Sequence, residues 1–256
     1  MSFSLNRAKS VGSSVLASTL RGWRGASASR TVQQPAQLPE LYDREGCAHC
    51  RFVREALTEL NLDVRIVTIP LGGTRYRQQL MDVSGSDQVP YLVDPNTGEK
   101  LGGSNAIVEY LYRHYSSRTV PPQLKATGAN VIKSKLATVV RGSQGLEVRP
   151  SKPVTLDMTL YSFEASPYSR LVRERLCELE LPYKLVNIGK QQMADVGPAT
   201  FRLHLGEYKP LPNTKRSLML EERGNVQVPY LIDPNLKADL FESEDILQYL
   251  NQNYAG

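Results

Sequence analysis

An internal repeat constrains this chain more than any other feature of its sequence. Residues 88–96 (QVPYLVDPN) recur as residues 227–235 (QVPYLIDPN), and eight of the nine positions are identical. The similarity continues into the flanking segments: residues 53–62 match 172–181, and residues 104–111 match 243–250. Two copies of one supersecondary unit are therefore predicted, because self-similarity at this distance is typical of duplicated domains. The second copy carries about twenty extra residues, between positions 188 and 225.

Each copy is predicted to fold as strand, helix, strand, helix, strand, strand, helix. In the first copy the apolar positions of one helix share a face, namely Cys50, Phe52, Val53, Ala56, Leu57 and Leu60. The β-branched residues 64–67 predict a strand, and the sequence Asp-Pro-Asn at 94–96 predicts a turn. We expect Ser104 to be the N-cap of the last helix. In the second copy a longer helical region is expected within 199–223.

The repeat also predicts domain boundaries. We expect an N-terminal helix and linker at 1–38, a first domain at 39–117, an interdomain helix and linker at 118–155, and a second domain at 156–256. The first thirty-nine residues contain no acid and many serines, a composition typical of an organelle transit peptide. However, residues 14–25 (SVLASTLRGWRG) resemble residues 134–145 (SKLATVVRGSQG), which lie between the two domains. Since a segment there is not a targeting signal, we favour a packed helix and an Arg-Gly loop at about 5–30.

Composition excludes several classes of protein. The net charge of +5 is mild, and no block of Lys and Arg marks a nucleic-acid-binding arm. No apolar run is long enough to predict a membrane-spanning helix. The three cysteines and three histidines show no metal-ligand spacing, so we expect no metal site. Three cysteines with one close pair fit a reducing compartment, and we expect the protein in the cytoplasm, with an organelle as the alternative if the N-terminus is a transit peptide.

The first copy carries a Cys-x-x-Cys motif, Cys47-Ala48-His49-Cys50, between its first predicted strand and helix. A helix N-terminus lowers the pKa of a thiol, and the thiolate is the nucleophile. Cys47 is therefore the predicted nucleophile, and Cys50, one turn into the helix, is the predicted resolving thiol. We expect His49 and Arg51 to add positive charge near the sulfur. The alternative is that the two cysteines are incidental, since the motif alone is a weak signal.

The first copy has a strand, a Cys-x-x-Cys motif that opens a helix, a Val-Pro pair before a later strand, and a serine at the start of the last helix. This order of motifs resembles glutaredoxins and the N-terminal domain of glutathione S-transferases. The resemblance implies an α/β fold of two tandem thioredoxin-like domains (βαβαββα), without the all-helical C-terminal domain of complete transferases. It implies glutathione as ligand or co-substrate, and cis peptide bonds before Pro90 and Pro229. The residues that it places around glutathione are Val89, Pro90 and Ser104 in the first copy and Ser166, Val228, Pro229, Glu242 and Ser243 in the second. The sequence departs from the family at Ala48 and His49, where Pro-Tyr is commoner, and at Gly103, where the family has an acid.

The second copy has no thiol at the corresponding position, where Ser166-Pro167-Tyr168-Ser169 stands. Dithiol exchange is therefore impossible there. Either this half is a degenerate structural copy, which we favour, or Ser166 hydrogen-bonds a glutathione thiolate as in serine-type transferases. Cys177 is expected to be inert.

Three functions follow from these observations. The leading hypothesis is a glutaredoxin-like thiol-disulfide oxidoreductase or glutathione-binding protein that acts through Cys47 on a thiol or disulfide substrate. The alternatives are a non-catalytic scaffold of paired domains, which binds a protein partner, and a glutathione transferase that uses Ser166.

Overall fold

The computed structural model describes residues 2–29, 34–198, 201–202 and 206–256, and its elements follow the repeat. The first half comprises α1 (Ser2–Leu20), β1 (Glu40–Asp43), α2 (Ala48–Glu59), β2 (Val64–Thr68), α3 (Arg77–Ser84), β3 (Tyr91–Asp94), β4 (Glu99–Gly102) and α4 (Ser104–Tyr115). The second comprises α5 (Gly128–Val139), β5 (Met158–Ser162), α6 (Pro167–Glu178), β6 (Tyr183–Asn187), α7 (Lys215–Arg223), β7 (Tyr230–Asp233), β8 (Ala238–Phe241) and α8 (Ser243–Tyr254). Short 3-10 helices lie at Pro122–Leu124 and Met193–Asp195.

The strands form one mixed sheet in the order β4-β3-β1-β2-β6-β5-β7-β8. Within each half the first two strands are parallel, and the last two form an antiparallel hairpin. The halves meet where β2 pairs antiparallel with β6, with Arg65 opposite Lys184. Each half thereby covers the edge strand of the other, which removes an unpaired row of backbone groups.

Helices α1 and α5 each pack against the opposite half of the protein. Helix α1 packs against α6 of the second half, and α5 packs against α2 of the first half. Their hydroxyl groups donate to backbone carbonyls just beside the two motifs that the repeat aligns. Ser134 Oγ donates to Ala48 O and Thr138 Oγ1 to Gly46 O, both at 2.8 Å. Ser14 Oγ donates to Pro167 O at 2.8 Å in the second half.

The apolar face predicted on the first helix is confirmed. All six of its residues are fully buried: Cys50, Phe52, Val53, Ala56, Leu57 and Leu60.

The Asp-Pro-Asn turn shared by the two copies anchors the last helix of each half through its aspartate. Tyr110 donates to Asp94 at 2.8 Å, and Tyr249 donates to Asp233 at 2.6 Å, so each hydroxyl ties a helix to the end of a strand.

A central group of arginines is buried, although arginine usually lies at the surface of a protein. Arg54 and Arg173 are 1% exposed and lie where the halves meet. Arg54 Nε lies 3.0 Å from Glu164 Oε2, and Arg173 Nη2 lies 3.0 Å from Glu45 Oε1, so each arginine pairs with a carboxylate of the other half. A buried charge is tolerated only when it is paired, which this arrangement achieves.

Two predictions of helix bounds also need correction. The last helix of the first half begins at Ser104, and its N-cap is Gly103 rather than Ser104. The N-cap has a φ of 86°, a left-handed conformation that glycine adopts readily. In the second copy the helix predicted within 199–223 is limited to Lys215–Arg223, while residues 199–200 and 203–205 lie outside the described residues. No helix of the described residues is long and apolar enough to cross a membrane.

Candidate active site

Cys47 occupies the N-cap of α2, at the end of the loop that leaves β1. Its φ of −74° and ψ of 128° are extended, and Arg51 N donates to its carbonyl at 3.2 Å as the first turn of the helix closes. Its side chain is partly exposed. A partly exposed sulfur is accessible to a substrate disulfide. At a helix N-terminus, the unpaired N–H groups of the first turn also favour the anionic form of the thiol.

The surroundings of Cys47 lower its pKa to about 5. The largest cause is a hydrogen bond from the thiol of Cys50, which outweighs the opposing effect of burial. The backbone N–H groups of Cys50 and His49 and the charge of Arg44 lower the pKa further, although no short capping hydrogen bond closes onto the sulfur. Cys47 is therefore a thiolate at neutral pH.

Cys50 has the opposite properties. It is fully buried, and burial raises its pKa well above the ordinary value. The hydrogen bond that it shares with Cys47 and the charge of Asp43 raise the pKa further. One sulfur is thus ionised and accessible, while its neighbour stays protonated and shielded. Two thiols with well-separated pKa values can divide the roles of attack and resolution.

The expected source of positive charge near Cys47 is corrected in part. Arg51 Nη1 donates to Ser134 Oγ at 2.9 Å, and Arg51 Nη2 donates to Thr138 Oγ1 at 3.1 Å, so its guanidinium is held on α5. The cation that lowers the pKa of Cys47 is Arg44, whose Nε donates to Ile69 O at 2.8 Å. The sequence offered no signal for Arg44, because its position depends on the end of β2.

Both X-Pro bonds of the repeat, Val89-Pro90 and Val228-Pro229, are cis, as predicted. Val89 is half-buried, and among the described residues its backbone N–H and carbonyl make no hydrogen bond. Beyond the proline, Gly103 N donates to Pro90 O at 3.0 Å and joins the start of α4 to this turn. The first half therefore offers an unpaired backbone group of the kind that a peptide-like ligand can meet.

Ser104 lies close to the Cys-x-x-Cys motif. It is 5% exposed, and its Oγ lies 3.2 Å from His49 Nδ1. This contact links the exposed His49 side chain to the first residue of α4 and was not foreseen from the sequence. It joins the motif to the helix start at which the family resemblance implies carboxylate binding.

A buried carboxylate, that of Asp43, lies near the two cysteines and helps to raise the pKa of Cys50. Asp43, the last residue of β1, accepts from Arg54 Nη1 through both of its oxygens at 2.8 Å. Burial raises the pKa of Asp43 to about 6, against the opposing charge of Arg54. The role of Asp43 could not be predicted from the sequence, since an acid at the end of a strand carries no signal until the partner arginine is located.

In the second half Ser166 takes the place of Cys47 at the N-cap of α6. Its Oγ accepts from Ser169 N at 3.2 Å, and the residue is only 2% exposed. The Oγ of Ser169 is buried and has no hydrogen-bond partner among the described residues. Ser166 thus serves as a helix cap.

The residues predicted around glutathione in the second half divide between two cavities. Ser166 and Val228 line a cavity of about 240 Å³, whereas Ser243 lines a separate groove of about 620 Å³ between α1 and α8. Glu242 is the N-cap of α8, has a φ of 64°, and accepts from Gln227, which lines the first cavity. Pro229 follows Val228 in the chain and is buried.

Cys177 is shielded by burial, although Glu45 N donates to its Sγ at 3.5 Å. It is 2% exposed, its Sγ donates to Gly145 O at 3.4 Å, and burial raises its pKa. No group of three or more histidine, cysteine, aspartate or glutamate side chains within the described ranges could hold a metal ion.

Comparison with known proteins places this architecture in a family. No curated protein and no solved structure matches the chain significantly. A family model matches each copy of the repeat, and the two matched segments include both helix starts, both cis prolines and both last helices described above. The chain belongs to the family described as glutathione S-transferase, N-terminal domain, over residues 41–119 and 160–256.

Proposed function

We propose that this protein is a glutaredoxin-like thiol-disulfide oxidoreductase that acts through Cys47 with glutathione as co-substrate. The observation that carries the proposal is the contrast between the two thiols of the first half. Cys47 is partly exposed and its pKa is lowered to about 5, whereas Cys50 is buried and its pKa is raised. Membership of a glutathione-related family supports the choice of glutathione.

The reaction begins when the Cys47 thiolate attacks one sulfur of a substrate disulfide. A bond forms between the Cys47 sulfur and that sulfur, and the other sulfur leaves as a thiolate. Cys50 then loses its proton and attacks Cys47, which releases the second substrate thiol and forms the Cys47–Cys50 disulfide. Two molecules of glutathione reduce this disulfide to the dithiol and become glutathione disulfide. With a glutathionylated substrate, a second glutathione can instead attack the mixed disulfide at Cys47 directly.

The glutathione positions in the first half are Val89, Pro90 and Ser104. The unpaired backbone of Val89 fits the pairing of an extended peptide, and Ser104 opens a helix whose N–H groups favour a carboxylate. Because Gly103 replaces an acid, we expect glutathione to bind the first half weakly and to act as co-substrate. The high glutathione concentration of a reducing compartment such as the cytoplasm suits this role.

The second half serves this function as a structural partner. Ser166 is buried as a helix cap, which favours a degenerate copy over a serine-type transferase site. The shared sheet and the ion pairs between halves also suit a scaffold, but they do not account for the lowered pKa of Cys47.

One assay separates these functions, namely glutathione-dependent reduction of a small glutathione mixed disulfide. We expect turnover by the wild type, by Ser166→Ala and by Cys177→Ser, and none by Cys47→Ser. Cys50→Ser should keep turnover, because glutathione resolves the intermediate. Loss in Ser166→Ala with turnover retained in Cys47→Ser would support a transferase-type site instead. No turnover by the wild type, with no glutathione binding by calorimetry, would support the scaffold.

A further inference from the structure

The cavity beside Ser166 is lined by apolar side chains and by several cations. Its walls come from four segments: α1 with the loop after it, the residues that lead into α6, the extra residues of the second copy, and the residues just before β7. Trp23, Phe163 and Val228 supply apolar surface, while Lys190, Arg202 and Arg216 supply three cations. The only carboxylate that lines the cavity, among the described residues, is Asp195.

The carboxylate of Asp195 is already engaged by other groups. It accepts from Tyr208 Oη at 2.6 Å and from Gln191 N at 2.8 Å, and its Oδ2 lies 3.7 Å from Arg216 Nε. Arg216 is 5% exposed and donates to Gly189 O at 3.1 Å and to Ile188 O at 2.9 Å. Asp195 and Arg216 thus form the fixed floor of the cavity, and Asp195 makes no direct ion pair with Lys190.

Lys190 is held in place by its backbone. Lys190 N donates to Ala26 O, and Ala28 N donates to Lys190 O, both at 2.8 Å. Its Nζ lies over the Phe163 ring, 5.5 Å from the centroid, and no carboxylate of the described residues lies within ion-pairing distance of it. Burial and the nearby charges of Arg216 and Arg202 lower its pKa, against the opposing charge of Asp195. A half-buried ammonium group among other cations favours an anion beside it.

The repeat shows which residue of the first half corresponds to Lys190, and that residue is uncharged. Ser27 pairs with Lys190 in a parallel bridge, and Leu71 pairs with Glu147 in the corresponding bridge of the first half. Lys190 therefore stands where the first half has Leu71. By the same alignment Trp23 stands where the first half has Ser143, and both have a positive φ, of 55° and 60°. The turn that follows α1 therefore has the same conformation as the turn that follows α5. Only the cavity of the second half has the indole of Trp23 and the ammonium group of Lys190.

We propose that the second half binds a small organic carboxylate with an apolar body in this cavity. Lys190 would pair with the carboxylate, and Trp23, Phe163 and Val228 would contact the body. The volume of about 240 Å³ suits a small acid, being below the usual range for drug-sized ligands. This site is independent of the exchange chemistry at Cys47.

The sequence provides a direct probe, because Trp23 is the single tryptophan of the chain. Phenylacetate is titrated against the full-length protein while tryptophan emission is recorded, and phenylacetamide serves as the neutral ligand of the same shape. We expect a saturable change with phenylacetate and at least about tenfold weaker binding of the amide, since hydrogen bonds to charged groups contribute more than neutral ones.

Matched variants locate the charge. Lys190→Leu, which installs the residue of the first half, should weaken phenylacetate binding about tenfold or more, and Lys190→Arg should retain it. Leu71→Lys and Cys47→Ser should bind as the wild type does, and circular dichroism checks that each variant is folded. Equal binding of acid and amide, or full binding by folded Lys190→Leu, would overturn the proposal. The absence of a saturable response to phenylacetate would also overturn the proposal. This includes the case in which reduced glutathione gives a saturable response and phenylacetate does not.

Discussion

Arg54 and Glu164 are 110 positions apart in the chain, yet the Nε of one lies 3.0 Å from the Oε2 of the other where the two halves meet. Both side chains are at most 2% exposed. The repeat duplicates the relationship, since Arg173 pairs with Glu45 at 3.0 Å. The halves are therefore joined by buried charge as well as by the pairing of β2 with β6.

Removal of one partner from this group should be costly. We expect Arg54→Met to lower the free energy of unfolding by about 3–5 kcal/mol, because the buried Asp43 would lose its cation and Glu164 would keep Arg173 but lose Arg54. Denaturant unfolding followed by circular dichroism measures the change. The control is Arg65→Met, which breaks more exposed pairs with Glu40 and Asp157 and should cost about 0–1 kcal/mol. Similar losses in the two variants would contradict this account of the interface.

The hydroxyl groups of α5 should position Cys47. Ser134 Oγ donates to Ala48 O, directly after the nucleophile, and accepts from Arg51. We expect Ser134→Ala to cost about 1 kcal/mol of stability and to slow alkylation of Cys47 several-fold at about pH 6. Ser14→Ala removes the equivalent bond to Pro167 O in the second half. It should cost similar stability and leave the alkylation rate unchanged, so an equal slowing in both variants would refute a positioning role.

The residue before the last helix of each half should respond oppositely to substitution. Glu242 has a φ of 64°, whereas its counterpart Gly103 has a φ of 86° and open space where a side chain would begin. Since this conformation is strained for any residue except glycine, Glu242→Gly should leave stability unchanged or raise it by up to about 1 kcal/mol. Gly103→Ala should lower stability by about 1–2 kcal/mol. Thermal unfolding measures both, and a destabilised Glu242→Gly would show that the Glu242 side chain itself is needed.

The stability of the reduced protein should depend on pH through Cys47. The folded pKa of about 5 is lower than the ordinary value of 9.0, so the contribution of Cys47 is fully present only above the unfolded pKa. It is lost as pH falls through the folded value. The stability difference between reduced wild type and Cys47→Ser should therefore shrink from about pH 9 to pH 5. Cys177→Ser should show no loss in this window, because burial raises the pKa of Cys177, and a difference independent of pH would contradict the assigned thiolate.

Much of each half could be predicted from the sequence, because its signals are local. The Asp-Pro-Asn turns, the apolar face from Cys50 to Leu60 and the paired Val-Pro motifs all act within a few residues. The joining of β2 to β6 and the crossing of α1 and α5 could not be predicted, since both depend on contacts between distant segments. The buried arginines Arg54 and Arg173 were missed for the same reason: their partners lie in the other half.

The candidate site was predicted in part. The roles proposed for Cys47 and Cys50 stay predictions that the local geometry supports, and the cis bonds at Pro90 and Pro229 are confirmed. The charge beside the sulfur comes from Arg44 rather than Arg51, because Arg51 turns to α5. Sequence separation hides such choices, since a guanidinium can reach several neighbours and packing decides among them.

The pH dependence of Cys47 alkylation tests the central claim most directly. Iodoacetamide is applied to the reduced Cys177→Ser variant across a range of about pH 3.5–9, and modified Cys47 is quantified by peptide mass spectrometry. We expect a rate that rises with a midpoint near pH 5, while Cys50 stays unmodified. A midpoint near the ordinary thiol value of 9.0 would mean that Cys47 is not an activated nucleophile, and the proposed exchange chemistry would be wrong.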